Sequence, residues 1–403
     1  MNKVVKYRGR IKIIDGISAA GLEALEGDYL LGGDEIKHPD AIIVRSSKIS
    51  VEDYPGVKII TRAGAGYDNI DTARAAHLGI VVSTTPKGNA NAVCELIYTM
   101  IGMQLRHVAE ATEFVKTVHA LDESVLQSAI KKRRGDFAGS ELRGKTLGVI
   151  GLGQIGVLVA NTGIERGMRV IGYDPYATLT NMHQLDHRVR MIRQRDQIGH
   201  VLENADIITV HVPLNQRTRG LIGAPEIAHM KQGGILLNYA RGEVVDIASV
   251  LAALDAGSLQ AYITDFATQE LRAHPKVTCT PHLGASTEEA GEGCAAMAAM
   301  QIKEYLEYGN VINAVNIPNV EMPCRPSTAV RLAVINRDVP DMIGKITHLV
   351  GEYGHNIQGM TNSSNGSFGY NIIDFDADVP STITGQIEKM PGVVRVRAIR
   401  FPK

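Results

Sequence analysis

The segment that most constrains this chain is KTLGVIG (145–151), followed at once by Leu152, Gly153, Gln154, Ile155 and Gly156. The first part is a short, apolar, β-rich run. After it, apolar residues recur at helical spacing to about Arg166. Three glycines spaced G-x-G-x-x-G between strand and helix have separate tasks. Gly151 permits a tight turn, Gly153 lets a phosphate approach the backbone, and Gly156 lets helix and strand pack closely. The helix start then offers unpaired N–H groups and the positive end of its dipole to an anion. This context predicts a dinucleotide-binding α/β unit. The next strand, MRVIGYD (168–174), ends in Asp174, 18 residues past Gly156. A carboxylate there can bond ribose hydroxyls and repels a 2′-phosphate, so the expected cofactor is NAD rather than NADP.

Strand-like runs alternate with helical patterns on both sides of this turn. IKIID (11–15), AIIVRSS (41–47), VKIITRAG (57–64) and IVVSTT (80–85) come before it. DIITVHV (206–212), GILLNYA (234–240), AYITDF (261–266) and VTCTPH (277–282) come after it. Such alternation predicts parallel sheets with crossover helices. One continuous helix is expected over 90–118, an irregular stretch over 121–142, and another helix over 287–308. A linker with three prolines, NIPNVEMPCRPS (316–327), precedes a βαββαβ pattern whose hairpin closes on Asn365-Gly366. The linker offers a place for relative motion.

Composition excludes several classes. Lys plus Arg (42) nearly equals Asp plus Glu (43), so neither nucleic acid nor an anionic membrane is expected as a partner. No run of 18 apolar residues and no secretory leader pattern stands in the sequence, and a cytoplasmic location is expected. Cys94, Cys279, Cys294 and Cys324 lack CxxC spacing, so reduced thiols and no metal are expected.

Three residues at later strand ends suit hydride chemistry. Arg241 follows GILLNYA, Glu270 lies five residues past Asp265, and His282 ends VTCTPH. In open parallel sheets, ligands gather at the carboxyl ends of strands. A guanidinium holds a carboxylate with two bonds, an imidazole moves a hydroxyl proton, and a carboxylate beside the imidazole orients it. Arg45-Ser46-Ser47-Lys48 and Arg62-Ala63-Gly64-Ala65-Gly66 follow two earlier strands, and they suit a phosphate or carboxylate.

GVIGLGQIG, HVPL (211–214), NYARGEVVD (238–246), TPHLGAST (280–287) and RAGAGYDNID (62–71) resemble the blocks of D-isomer-specific 2-hydroxyacid dehydrogenases. The resemblance implies two doubly wound, Rossmann-like parallel-sheet domains: a discontinuous substrate domain (1–93 and 288–322) and an NAD domain (94–287). It implies Arg241, Glu270 and His282 as the catalytic trio. It also implies cofactor contacts from Gly151, Gly153, Gln154, Ile155, Gly156, Asp174, Val212, Pro213, Tyr239, Ala240, Arg241, Asp265, His282 and Gly284. Arg45, Ser46, Gly64 and Ala65 are implied as substrate ligands. The family's Glu usually precedes a proline and a longer loop. Here Leu271 follows Glu270, and His282 comes twelve residues after it.

Residues 326–403 resemble an ACT domain, which implies an effector loop over 336–342 with Asn336 and Asp338, and Asn356 opposite. The implied reaction is NAD-dependent oxidation of a phosphorylated hydroxy acid, 3-phospho-D-glycerate, in a homodimer or homotetramer with L-serine as a candidate effector. Two other readings are a glyoxylate, hydroxypyruvate or 2-oxoglutarate reductase, and an NADH-sensing scaffold or corepressor.

Overall fold

The computed structural model describes residues 7–120 and 122–401. It divides into two compact units, 1–89 with 288–403, and 90–287.

In the first unit, five short strands form a parallel sheet: β1 (Gly9–Ile13), β2 (Tyr29–Gly32), β3 (Ala41–Val44), β4 (Ile59–Arg62) and β5 (Val81–Thr84), in the order β2-β1-β3-β4-β5. Consecutive side chains of a strand point to opposite faces, and both faces of this sheet are apolar. Ile11, Ile43, Ile59 and Val81 pack on one face with Ala295, Ala298 and Ile302 of the Glu288–Lys303 helix. Ile42, Val44, Ile60 and Val82 pack on the other with Ile70, Ala75 and Ile80.

The second unit holds seven parallel strands: β6 (Thr146–Ile150), β7 (Arg169–Tyr173), β8 (Arg190–Ile192), β9 (Ile207–Val210), β10 (Gly234–Asn238), β11 (Leu259–Thr264) and β12 (Val277–Cys279). Their order is β12-β11-β10-β9-β6-β7-β8. The winding reverses between β6 and β9, which makes the turn after β6 the switch point where ligands of such sheets bind. Two departures from the sequence expectation lie ahead of β6. The helix expected over 90–118 breaks at His107, whose φ is 51°, giving Ala90–Leu105 and Val108–Thr117. Residues expected to be irregular form a helix at Glu123–Arg133, begun by Asp122, whose side chain accepts from the Val125 N–H. Neither Val108–Thr117 nor Glu123–Arg133 contains a buried residue.

The C-terminal residues form a four-stranded antiparallel sheet, β14 (Gly359–Ser364), β15 (Phe368–Phe375), β13 (Val330–Arg337) and β16 (Val393–Arg400) in that spatial order. One face carries the Met342–Glu352 and Ser381–Glu388 helices, over Leu332, Val334, Ile346, Ile373, Ile383 and Ile387. The opposite face, with Ala333, Ile335, Phe368, Tyr370 and Ile372, joins the core of the first unit. The 316–327 segment is held rather than loose. Arg331, fully buried, donates to the carbonyls of Tyr308 (2.9 Å), Met322 (2.8 Å) and Pro323 (3.3 Å) and pairs with Asp374 (2.7 and 2.9 Å).

Candidate active site

The glycine turn after β6 separates closure from opening. A Cβ on Gly156 would stand 1.9 Å from the Gly151 carbonyl oxygen, so helix and turn are in contact there. Gly151 has a φ of 94°, and a Cβ on it would meet the His211 backbone at 2.8 Å. Gly153 differs: nothing lies within 4 Å of where its Cβ would be. It precedes the Gln154–Glu165 helix, whose start carries no side-chain cap. Open space over uncapped helix amides is what a pyrophosphate requires, so these residues fit a dinucleotide. Asp174 stands at the end of β7. One of its oxygens accepts from the Leu152 N–H (2.9 Å) and the other from the Tyr176 N–H (2.8 Å), which ties the carboxylate to the turn. Gln154 donates to Asn181 (2.7 Å), which in turn donates to the Leu152 carbonyl (3.1 Å). Ile155 and Val212 are half-buried, and the Pro213 carbonyl accepts from Thr218 (2.5 Å).

Two straps set the other strand ends. After β10, the Asn238 side chain accepts from the Ala240 N–H (3.0 Å) and donates to the Arg241 carbonyl (2.8 Å), which fixes the path through buried Tyr239 and Ala240 to Arg241. After β11, buried Asp265 collects the loop that bears His282. Its carboxylate accepts from the Thr280 hydroxyl (2.5 Å) and from the N–H groups of Leu283 and Gly284 (both 2.7 Å). The His282 N–H donates to the Asp265 carbonyl (3.2 Å). His282 has a left-handed φ of 58°, and its ring meets Phe266 edge-on at 5.2 Å. It lines a cleft of about 370 Å³ with Gly242, Tyr262, Asp265, Phe266 and Leu271.

Glu270 stands apart from this ring. It is exposed in the first turn of the short Gln269–Ala273 helix, and its carboxylate accepts from the Thr268 hydroxyl (3.1 Å). Neither a hydrogen bond nor an ion pair joins it to His282.

His211 carries no signal in the sequence beyond the HVPL block, yet it is the most perturbed base of this unit. Nε2 lies 2.9 Å from the Thr209 hydroxyl, and Nδ1 is buried without a partner among the described residues. Burial lowers its pKa from 6.5 to about 3, so the imidazole is neutral.

The expected anion turns belong to the first unit. Gly64, with a φ of 142°, lies under Arg62; a Cβ there would come within 1.9 Å of the guanidinium. Arg62 Nε donates to the Arg45 carbonyl (2.9 Å), and the Gly64 N–H donates to Thr85 (2.6 Å). Ala65 and Gly66 are half-buried, and their N–H groups donate to no protein group among the described residues. Arg62 opens one of the expected turns, whereas Thr85 was not singled out in the sequence. Only the folded register, with β4 beside β5, reveals its part.

In the C-terminal sheet, Asn336 is buried and its amide is spent internally, on the Arg337 carbonyl (2.7 Å) and the Asn371 amide (2.7 Å). Asp338 accepts from Ser364 (2.6 Å), and Asn356 is exposed. No group of three or more His, Cys, Asp or Glu among the described residues could hold a metal ion, and no helix among them is long and apolar enough to cross a membrane.

A wound parallel sheet with its glycine turn at the switch point, and with Arg and His at later strand ends, defines a class of nucleotide-dependent dehydrogenase folds. Residues 108–284 match the family described as D-isomer specific 2-hydroxyacid dehydrogenase, NAD binding domain. The D-3-phosphoglycerate dehydrogenase of Escherichia coli K12 is 31% identical over 354 residues, covering 83% of this chain and 79% of that one. The chain belongs to the D-isomer-specific 2-hydroxyacid dehydrogenase family. The D-3-phosphoglycerate dehydrogenase of Bacillus subtilis is 35% identical over 328 residues, 77% of this chain, but the chain spans only 59% of its length. A crystal structure of NAD⁺-bound 3-phosphoglycerate dehydrogenase from Entamoeba histolytica superposes with a TM-score of 0.61 at 29% identity, over 76% of this chain and 98% of that one.

Proposed function

We propose that the chain oxidises 3-phospho-D-glycerate to 3-phosphohydroxypyruvate with NAD, the first step of L-serine biosynthesis. The observation that carries this is the second unit's set of strand ends. A glycine turn with one open glycine, the Asp174 carboxylate, Arg241 and His282 follow β6, β7, β10 and β12 of a single sheet. Bound NAD supplies the hydride acceptor. His282 takes the hydroxyl proton as the alcohol carbon becomes a ketone, and gives it back in reduction. Arg241 holds the carboxylate beside the reacting carbon. Glu270, bonded to Thr268, serves as the partner of His282 only after a shift of its loop. Asp174 favours NAD by repelling a 2′-phosphate.

The first unit supports a phosphorylated substrate. Arg45 and Ser46 border one turn, and the open amides of Ala65 and Gly66 lie on the next. Residues 1–93 with 288–322 are the substrate domain in this reading, 94–287 the NAD domain, and 326–403 an ACT-type module. Asn336, Asp338 and Asn356 are its proposed effector residues, with L-serine as the ligand. A homodimer or homotetramer is supported by the two helices at 108–117 and 123–133, which contain no fully buried residue and expose Val108, Val115 and Val125.

Steady-state kinetics with 3-phosphoglycerate, glyoxylate and 2-oxoglutarate tests the reading. A kcat/KM for 3-phosphoglycerate above that for either other acid is expected. The reverse order assigns a general reductase, and NADH binding without turnover assigns a sensor.

A further inference from the structure

The first unit contains a carboxylate that the proposed chemistry does not use. We infer that Asp15 is a positioning residue, holding the turn of Arg45, Ser46 and Ser47 in the shape that receives the substrate's anionic group. This rests on the reading of that turn as a substrate site.

Asp15 follows β1 with a φ of 74°, a left-handed conformation uncommon outside glycine and best tolerated by Asp and Asn. From there one oxygen accepts three successive N–H groups, those of Arg45 (2.9 Å), Ser46 (2.7 Å) and Ser47 (3.0 Å). The other oxygen accepts from the Ser47 hydroxyl. Burial pushes this carboxyl up, but the Ser47 hydroxyl and the three amides outweigh it and bring the pKa down to about 2. The group is therefore an anion at neutral pH.

Two consequences follow. The three amides are already satisfied by an internal charge, so a ligand anion cannot dock on them, and the turn meets its ligand through the side chains of Arg45 and Ser46. The turn is also fixed from its carbonyl side. Arg62 Nε holds the Arg45 carbonyl (2.9 Å), and Asn69 Nδ2 holds the Ser47 carbonyl (2.8 Å). Arg62 and Asn69 belong to the stretch that carries the open amides of Ala65 and Gly66, so Asp15 sets one turn in register with the other. A carboxylate at this point acts as an internal copy of an anion, shaping the loop before any ligand arrives.

The test uses the full-length chain. Asp15→Asn keeps the size and the tolerance of a positive φ but removes the charge and turns a donor toward the amides. Its KM for 3-phosphoglycerate should rise on the order of tenfold to a hundredfold, as expected for a misplaced binding group. Its kcat and its NADH dissociation constant should stay within about threefold of wild type, because substrate binding alone is disturbed. An unchanged KM, or a kcat that falls in step with NADH affinity, overturns the inference. Ser47→Ala removes one arm only, and a KM increase smaller than that of Asp15→Asn is expected from it.

If the wild-type chain oxidises another hydroxy acid and not 3-phosphoglycerate, the proposed substrate is wrong and the same KM and kcat comparison is made with that acid. If it oxidises none, amide hydrogen exchange decides. The Arg45, Ser46 and Ser47 amides should exchange faster in Asp15→Asn while those of β6 to β11 do not change, and equal rates at the turn overturn the inference.

Discussion

Single carboxylates at strand ends organise the loops of both units. Asp15 gathers the turn after β3, Asp174 holds the glycine turn through Leu152, and Asp265 holds the loop of His282 through Leu283 and Gly284. In each case a short acceptor orders a backbone whose function lies in a neighbouring side chain or amide. His282 is the sharpest case, because its φ of 58° restricts the replacements that leave the loop intact. Asn tolerates that conformation. His282→Asn should therefore keep NADH affinity while kcat falls on the order of 10²–10⁴-fold, the usual loss for a general acid/base. A variant that retains a third of wild-type kcat removes His282 from that role.

His211 supports a prediction about pH. Its pKa is lowered to about 3 in the folded chain against an ordinary 6.5, so a unit or more above pH 6.5 it is neutral in both states and has no effect on the pH dependence. As pH falls below 6.5 the unfolded chain takes up the proton and the folded chain does not. Folding then loses at most about 1.4 kcal/mol per pH unit from this group, down to about pH 3. Urea unfolding of wild type and His211→Gln at pH 7.5 and 5.0 should show a smaller drop in the variant, and equal drops mean that His211 is protonated when folded.

At the scale of elements, the turn after β6 assigns different outcomes to two glycines that look alike in sequence. Gly156→Ala puts a methyl group against the Gly151 carbonyl and should cost stability, about 1–3 kcal/mol for overpacking of this kind. Gly153→Ala meets no protein atom, so the fold should hold while NADH affinity falls. Thermal unfolding alongside fluorescence titration with NADH separates the two. Equal NADH affinity in Gly153→Ala and wild type would place the pyrophosphate elsewhere.

This turn was legible in the sequence because all its determinants are local: a β-rich run, three glycines and a helical period. The central strands were legible for the same reason, since residues buried on both faces read as continuous Val and Ile. β2 and β8 were not foreseen. Both are short edge strands, and β8 is only Arg190, Met191 and Ile192, with too little apolar periodicity to register. The 123–133 helix escaped because no residue of it is fully buried and it ends in Lys131, Lys132 and Arg133. Asp15 escaped because the amides it gathers lie 30 to 32 residues away, and the separation of Glu270 from His282 depends on a loop path that spacing does not encode.

At the scale of the whole chain, residues 326–401 share the core of the first unit and are expected to unfold together with it. Arg331 and Asp374 bear directly on it. Both are buried, and the guanidinium joins β13 and β15 of the C-terminal sheet to the carbonyls of Tyr308, Met322 and Pro323 in one cluster. Tyr370 adds a hydroxyl bond to the Gly309 carbonyl (2.6 Å), and Arg395 and Arg397 donate to the carbonyls of Val57, Tyr305 and Leu306. With one sheet face also in the core around Ile11, Ile43 and Ile302, these contacts cross the proline-bearing segment at many points. A segment so pinned gives little freedom for hinge motion within this unit.

Arg331→Met removes one partner of the buried pair and leaves Asp374 uncompensated, a change that typically costs about 3–5 kcal/mol. If the sheet and the first unit form one cooperative body, native-state hydrogen exchange of this variant should show protection falling together in β13, β15, β1, β3 and β4. Protection in β6, β7 and β9 should stay at the wild-type level, since those strands belong to the other unit. Loss of protection confined to 326–401 would instead mean an independently unfolding domain on a linker, and would restore the tail-motion account of regulation.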